Sequence, residues 1–246
     1  MTERGRGAVE RSPAAFVVGP SSLQWQGDAL DIRLDETCMP LPRRVRGRVR
    51  LYPGTCPDFI ATLDESGSHR WSPIAPRARV EVELDEPRAS WRGEGYFDTN
   101  AGTAPLESSF RSWQWSRTHE DGGTRVYYDV ARHGGSRLGL ALRIDAAGQV
   151  SECPRPAAVD LPGTGWRIER RLRSALAADT LRRSLQTLED TPFYARSLLR
   201  GPDGAVTVHE SLSLDRFRSP WVQWMLPFRM PRRRSGRASG RVPRDA

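Results

Sequence analysis

Residues 193–214 read FYARSLLRGPDGAVTVHESLSL. Phe193 to Arg200 and Ala205 to Leu214 are two β-rich runs split by Gly201-Pro202-Asp203-Gly204. That spacing predicts an antiparallel hairpin. Upstream the same pattern recurs. Strands are predicted at AFVV and LQWQGDALDIRL (turning at 26–28), RRVRGRVRLY and RVEVEL, then 91–98, 110–118, 124–131, 137–144 and 166–172. The basic and apolar alternation of RRVRGRVRLY predicts an edge or half-exposed strand. Many short strands punctuated by turn residues predict barrels or sandwiches rather than βαβ units, so the fold class is all-β.

Three stretches depart from that pattern. Cys56 to Pro76 reads as irregular and proline-bounded. Residues 172–188 fit either a helix, through a leucine stripe, or a strand pair turned at Ala178-Asp179. Residues 231–246 are rich in Arg, Gly, Ser and Pro and read as a disordered tail.

Composition narrows the function classes. All 38 basic residues are arginine, and the net charge is +8. From Arg229 onward there are seven arginines against Asp245, so that segment holds +6 of the charge and the body before it is near neutral. With no nucleic-acid-binding motif in the body, a nucleic-acid partner is not expected. Cys38, Cys56 and Cys153 form no CxxC pair, which fits neither a disulfide framework nor a zinc site. No run reaches the roughly 20 apolar residues of a membrane span, and the charged MTERGRGAVERSP start lacks a signal-peptide core.

One constellation carries chemistry. On extended backbone, residues two apart share a face. Tyr96 and Asp98 in GEGYFDTN (93–100) form one such pair, and His69 and Trp71 in the preceding HRW form another. If both pairs face one cavity, a carboxyl, a phenol, an imidazole and an indole surround one point. Spacing alone leaves other readings open: Asp98 as a turn cap, Trp71 and Tyr96 as core, His69 as a loop histidine. Glu107, Asp129 and Glu210 are further carboxylates that nothing in the sequence brings together. Trp113 and Trp115 share one strand face, as core or pocket wall.

The segments SHRWSPIAP (68–76), GEGYFDTNAGTAPLE (93–107), FRSWQWSR (110–117), LEDTPFYARS (188–197), HESLSLDRF (209–217) and SPWVQWMLPFRMPR (219–232) together resemble the carotenoid 1,2-hydratase, or hydroxyneurosporene synthase, family. The resemblance implies a lipocalin-like protein of two β-barrel or sandwich domains. The first would span 1–75 and lack the family's leading segment, the second 76–230, with the tail at 231–246. It implies water addition to the terminal C1=C2 bond of acyclic carotenoids such as neurosporene and lycopene, without cofactor or metal, with His69, Trp71, Tyr96 and Asp98 as the catalytic group. The substrate's hydrophobicity implies peripheral contact with membrane lipid, through PWVQWMLPFRM and its arginines, on the cytoplasmic side of the inner or photosynthetic membrane. The competing reading is a non-catalytic lipocalin-like binder of an isoprenoid or lipid.

Overall fold

The structure, a computed structural model, describes residues 5–38 and 42–229, with side chains to 226. The tail expected to be disordered lies outside the described residues. In chain order the elements begin β1 (Val9–Arg11), β2 (Ala15–Val18), β3 (Ser21–Gln26), β4 (Ala29–Cys38) and β5 (Arg43–Pro53). Then come β6 (Ala61–Thr62), β7 (His69–Glu86), β8 (Ala89–Gly102), α1 (Leu106–Ser109), β9 (Phe110–Glu120), β10 (Gly123–Arg132) and β11 (Arg137–Asp145). The chain continues through β12 (Val150–Glu152), β13 (Ala158–Leu161), β14 (Arg170–Arg173), α2 (Ala178–Ser184), β15 (Gln186–Asp190), β16 (Tyr194–Arg200), β17 (Val206–Ser213), α3 (Leu214–Phe217) and α4 (Pro220–Arg229).

Two compact units interleave along the chain. One holds residues up to 52, 80–93 and from 225; the other holds 53–79 and 94–224. A boundary near residue 75 would fall inside β7, which gives residues to both units.

In the first unit β1 to β5 form an antiparallel meander, followed in the sheet by β7, with which β8 also pairs. RRVRGRVRLY is therefore an interior strand, correcting the edge half of its expected character. Its arginines are held by acids on neighbouring strands: Arg48 on Asp31, Arg44 on Asp35 at 3.0 Å, Arg46 on Asp85 at 3.3 Å. Gly47 marks a close approach, because a Cβ there would strike the carbonyl oxygen of Glu83.

In the second unit seven strands run in the order β12-β11-β10-β9-β17-β16-β15. The predicted hairpin is β16 and β17, in register from Tyr194↔Leu212 to Arg200↔Val206. The barrel half of the fold expectation gives way to open sheets among the described residues. The edges β12 and β15 are only 3 and 5 residues long, which limits the unpaired backbone they leave. The ambiguous 172–188 stretch resolves as the end of β14, the helix α2 and the start of β15. Leu181 of α2 packs with Leu161, Leu172 and Leu199 in a cluster on one side of the sheet. Buried Arg170 crosses that layer, donating to the hydroxyls of Thr187 at 2.9 Å and Ser197 at 3.0 Å.

The expected irregularity of Cys56 to Pro76 holds only to Ser68. From His69 the chain is strand, paired to β6 through Thr62↔Arg70 and Ala61↔Trp71. Pro73 and Pro76 lie beyond that pairing, where a missing N–H costs the β6 ladder nothing.

The leucine cluster generates the first prediction. Leu172 is 2% exposed, so Leu172→Ala should cost about 3 kcal/mol of unfolding free energy, read as an earlier midpoint in a urea melt at unchanged slope.

Candidate active site

β7 begins with the alternation that period two requires: His69 buried, Arg70 exposed, Trp71 buried. On the neighbouring β8, Tyr96 and Asp98 are both half-buried. The Trp71 indole N–H donates to Asp98 Oδ2 at 2.7 Å, and the Tyr96 hydroxyl donates to the same oxygen at 3.3 Å. Two donors on Oδ2 leave Oδ1 as the atom to carry a proton.

The seven-stranded sheet supplies the facing wall. Register sets Trp115 of β9 opposite Tyr128 of β10 on one side and Glu210 of β17 on the other. Arg196 of β16 stands opposite Glu210. Directly opposed residues project from the same face, so the four form a row, one per strand. Trp113 and Arg117 share that face. Together with Tyr96 and Asp98 these side chains line a cavity of about 410 Å³. Trp113 and Trp115 are thus pocket wall. Two other hollows, about 390 and 380 Å³, contain none of the four expected residues.

The electrostatics separate the groups. Burial pushes the Asp98 carboxyl above its ordinary value and the Glu210 charge adds to this, outweighing the bonds from Trp71 and Tyr96 that favour the ionised form. Burial, then the neighbouring carboxylate, raise the Tyr96 phenol well above its usual range, so it stays a donor. The Arg117 guanidinium lies over the Tyr96 ring, 5.7 Å from its centre. The cavity is consequently more polar than a purely hydrocarbon-lined pocket: Asn100, Arg117, Arg196 and Glu210 all line it.

Of the other two expected residues, Trp71 is fully buried and reaches the site only through its bond to Asp98, without lining the cavity, and His69 is elsewhere. His69 is 2% exposed and does not line the cavity. Its Nδ1 lies 3.0 Å from Asp64 Oδ2 and its Nε2 2.9 Å from the Ala104 carbonyl oxygen. Asp64 Oδ1 also accepts the His69 backbone N–H at 2.9 Å. Burial pulls the Asp64 carboxyl up, but the His69 bonds and the Ser66 hydroxyl outweigh it and hold the group below the usual range. Gly102 packs on the ring, where a Cβ would sit 2.7 Å from Cδ2. His69 thereby ties down residues 102–104, just beyond Tyr96 and Asp98. Two residues along a strand span about 6.6 Å, so the His69 and Trp71 rings meet different neighbours despite sharing a face.

Sequence reasoning missed Asp64, Arg117, Arg196 and Tyr128 as site residues, and named Glu210 without a partner. Two signals were available. Asp64 opens the Asp-Glu-Ser-Gly turn, which Gly67 closes with a φ of 72°. In the 193–214 hairpin, a turn at 201–204 fixes Arg196 opposite Glu210. Neither Glu107 nor Asp129 lines the cavity; Asp129 is held by Arg155 and Arg173.

A crystal structure assigned to AttH from Nitrosomonas europaea superposes with a TM-score of 0.57 at 11% identity, covering 85% of this chain and 72% of that one. The fold is of the all-β, lipocalin-like type. The family model described as carotenoid hydratase CrtC matches residues 1–239, and the chain belongs to that family. Proteins named acyclic carotenoid 1,2-hydratase are 50% identical in Thiocapsa roseopersicina and 48% in Rubrivivax gelatinosus, covering 94% and 95% of this chain. The chain spans 58% of the length of each of these two relatives. A relative of the same name from Cereibacter sphaeroides is 40% identical, with 84% of its length covered.

The His69–Asp64 pair makes a prediction. Asp64→Asn should cost about 2 kcal/mol of stability at neutral pH by weakening two bonds to a buried partner. A carboxyl held below its ordinary value stabilises the fold above that value and loses its contribution as pH falls through the folded one. The deficit of the variant relative to the parent should therefore shrink below about pH 4, measured by denaturant melts across pH.

Proposed function

We propose that the chain is a carotenoid 1,2-hydratase, adding water across the terminal C1=C2 bond of acyclic carotenoids such as neurosporene and lycopene during carotenoid biosynthesis. The observation that carries this reading is the half-buried Asp98, its Oδ2 fixed by the Trp71 indole and the Tyr96 hydroxyl in a cavity walled by aromatic rings. The names of the similar proteins support the substrate class.

Hydration of an isolated alkene begins with a proton donor. Asp98 transfers its proton from Oδ1 to C2, leaving a tertiary cation at C1. Water adds to C1, loses a proton and yields the tertiary alcohol. Raised above its ordinary value by burial, the carboxyl keeps its proton to higher pH than a free Asp does. The Trp115 and Tyr128 rings line the cavity, and a cation forming against them is stabilised by about 1–2 kcal/mol per ring when desolvated. Protonation and capture use only side chains and water, so the proposal invokes no cofactor. His69 acts by fixing residues 102–104, as a positioning residue.

A cavity of this size receives the end of a long polyene, while the rest of the chain extends outside it. We place that remainder in lipid, with the protein on the cytoplasmic face of the membrane. Trp166 and Trp221, stacked at 6.1 Å and both exposed, with Trp224 69% exposed, provide an aromatic patch suited to an interface.

Lycopene supplied in detergent or membranes should gain one water by mass spectrometry. Asp98→Asn should reduce that product at least about 100-fold while polyene binding, read by tryptophan quenching, persists. Binding without hydration in the unaltered chain would favour the non-catalytic carrier instead. Activity should fall as pH rises through the Asp98 pKa, because the protonated form is required. Trp71→Phe removes a donor that favours the ionised carboxylate, so this alkaline limb should move to higher pH.

A further inference from the structure

The cavity holds a second carboxylate for which hydration by Asp98 alone has no use. Glu210 projects from β17 in the same row as Trp115, its side chain 25% exposed and lining the space that Asp98 also lines. Arg196 Nε donates to its Oε1 at 2.9 Å. Burial, and then the same carboxylate, push the neighbouring Tyr194 phenol up. Nearby, the Trp115 indole N–H is buried without a partner. Other features carry less. The two arginine-lined hollows contain no unpartnered buried group, and His209, buried with Nε2 3.2 Å from the Arg171 carbonyl, lies on the opposite face of the sheet.

We propose that Glu210, oriented by Arg196, is the second carboxylate of the reaction: its carboxylate binds the attacking water and accepts its proton as the C1–O bond forms. This rests on the hydration reading and assigns the half of it that Asp98 does not perform. The two carboxylates are served differently. Asp98 is bonded by neutral donors, an indole and a phenol, whereas Glu210 is bonded by a guanidinium. Two carboxylates sharing one small cavity resist double ionisation. Their partners therefore suit them to different roles, Asp98 as proton donor and Glu210 as proton acceptor. The negative charge of Glu210 is one of the causes that hold the Asp98 carboxyl up, after burial.

The balance closes. The Asp98 O–H bond breaks as the C2–H bond forms. The water oxygen bonds to C1, and one water O–H bond breaks with its proton on Glu210. Transfer of that proton through cavity water to Asp98 restores both groups. No external acid, base or oxidant is consumed. In the reverse direction Glu210 would protonate the leaving hydroxyl and Asp98 would take the proton from C2.

The test separates proton donation from water capture. Incubate the full chain with lycopene in D₂O, and measure both the hydrated product and deuterium in the recovered alkene. A cation formed but not captured loses a proton again and leaves deuterium behind in the alkene. Glu210→Gln keeps the shape and an acceptor for Arg196. It should hydrate about 100-fold more slowly while still loading deuterium into recovered lycopene. Asp98→Asn should do neither. Hydration by Glu210→Gln at the unaltered rate overturns the proposal. Loss of deuterium exchange together with hydration in that variant also overturns it, since Glu210 would then only support Asp98 or the fold. An unaltered chain that neither hydrates nor exchanges overturns the hydration reading itself, and this assignment falls with it.

Discussion

The hydrogen bond from the Trp71 indole to Asp98 joins two β-strands at the point where the site is built. It fixes the carboxylate's orientation without neutralising it by a cation, so burial decides its protonation. A guanidinium in place of the indole would hold the same oxygen equally well and would pull the proton off. A neutral donor leaves burial to raise the carboxyl, which is what the proposed acid role requires.

Charge has not been excluded from the cavity; it has been placed. Arg196 is spent on Glu210, and Arg117 lies over the Tyr96 ring. Asp98 is left facing aromatic rings and a carboxylate. In the proposed reaction that arrangement favours a transient cation more than a hydrocarbon pocket would, since Glu210 lines the same cavity. Beneath it, the buried His69–Asp64 pair and the close approach of Gly102 secure the segment that follows β8. The site is supported by polar contacts that do not themselves enter it.

Much of the architecture was legible from local pattern. The 193–214 hairpin lies where its turn put it, and the strands at 110–118, 124–131 and 137–144 correspond to β9, β10 and β11. Where reading failed, a local rule met a longer-range pairing. Prolines at 73 and 76 made the start of β7 look irregular, yet they fall outside its ladder with β6. RRVRGRVRLY reads as an edge or half-exposed strand; it is half-exposed but interior, and acids on β4 and β7 meet its arginines.

The sequence by itself determined which side chains share a face: His69 with Trp71, Tyr96 with Asp98, Trp113 with Trp115. Period-two geometry is local and needs no knowledge of the fold. It could not determine what each face meets. Antiparallel register, set by hydrogen bonds between strands distant in the chain, decided that Trp71 reaches Asp98, that His69 is taken by Asp64 and Ala104, and that Glu210 stands beside Trp115. A pleat repeat of a few ångströms is enough to give two residues on one face different partners, and only tertiary structure chooses among them.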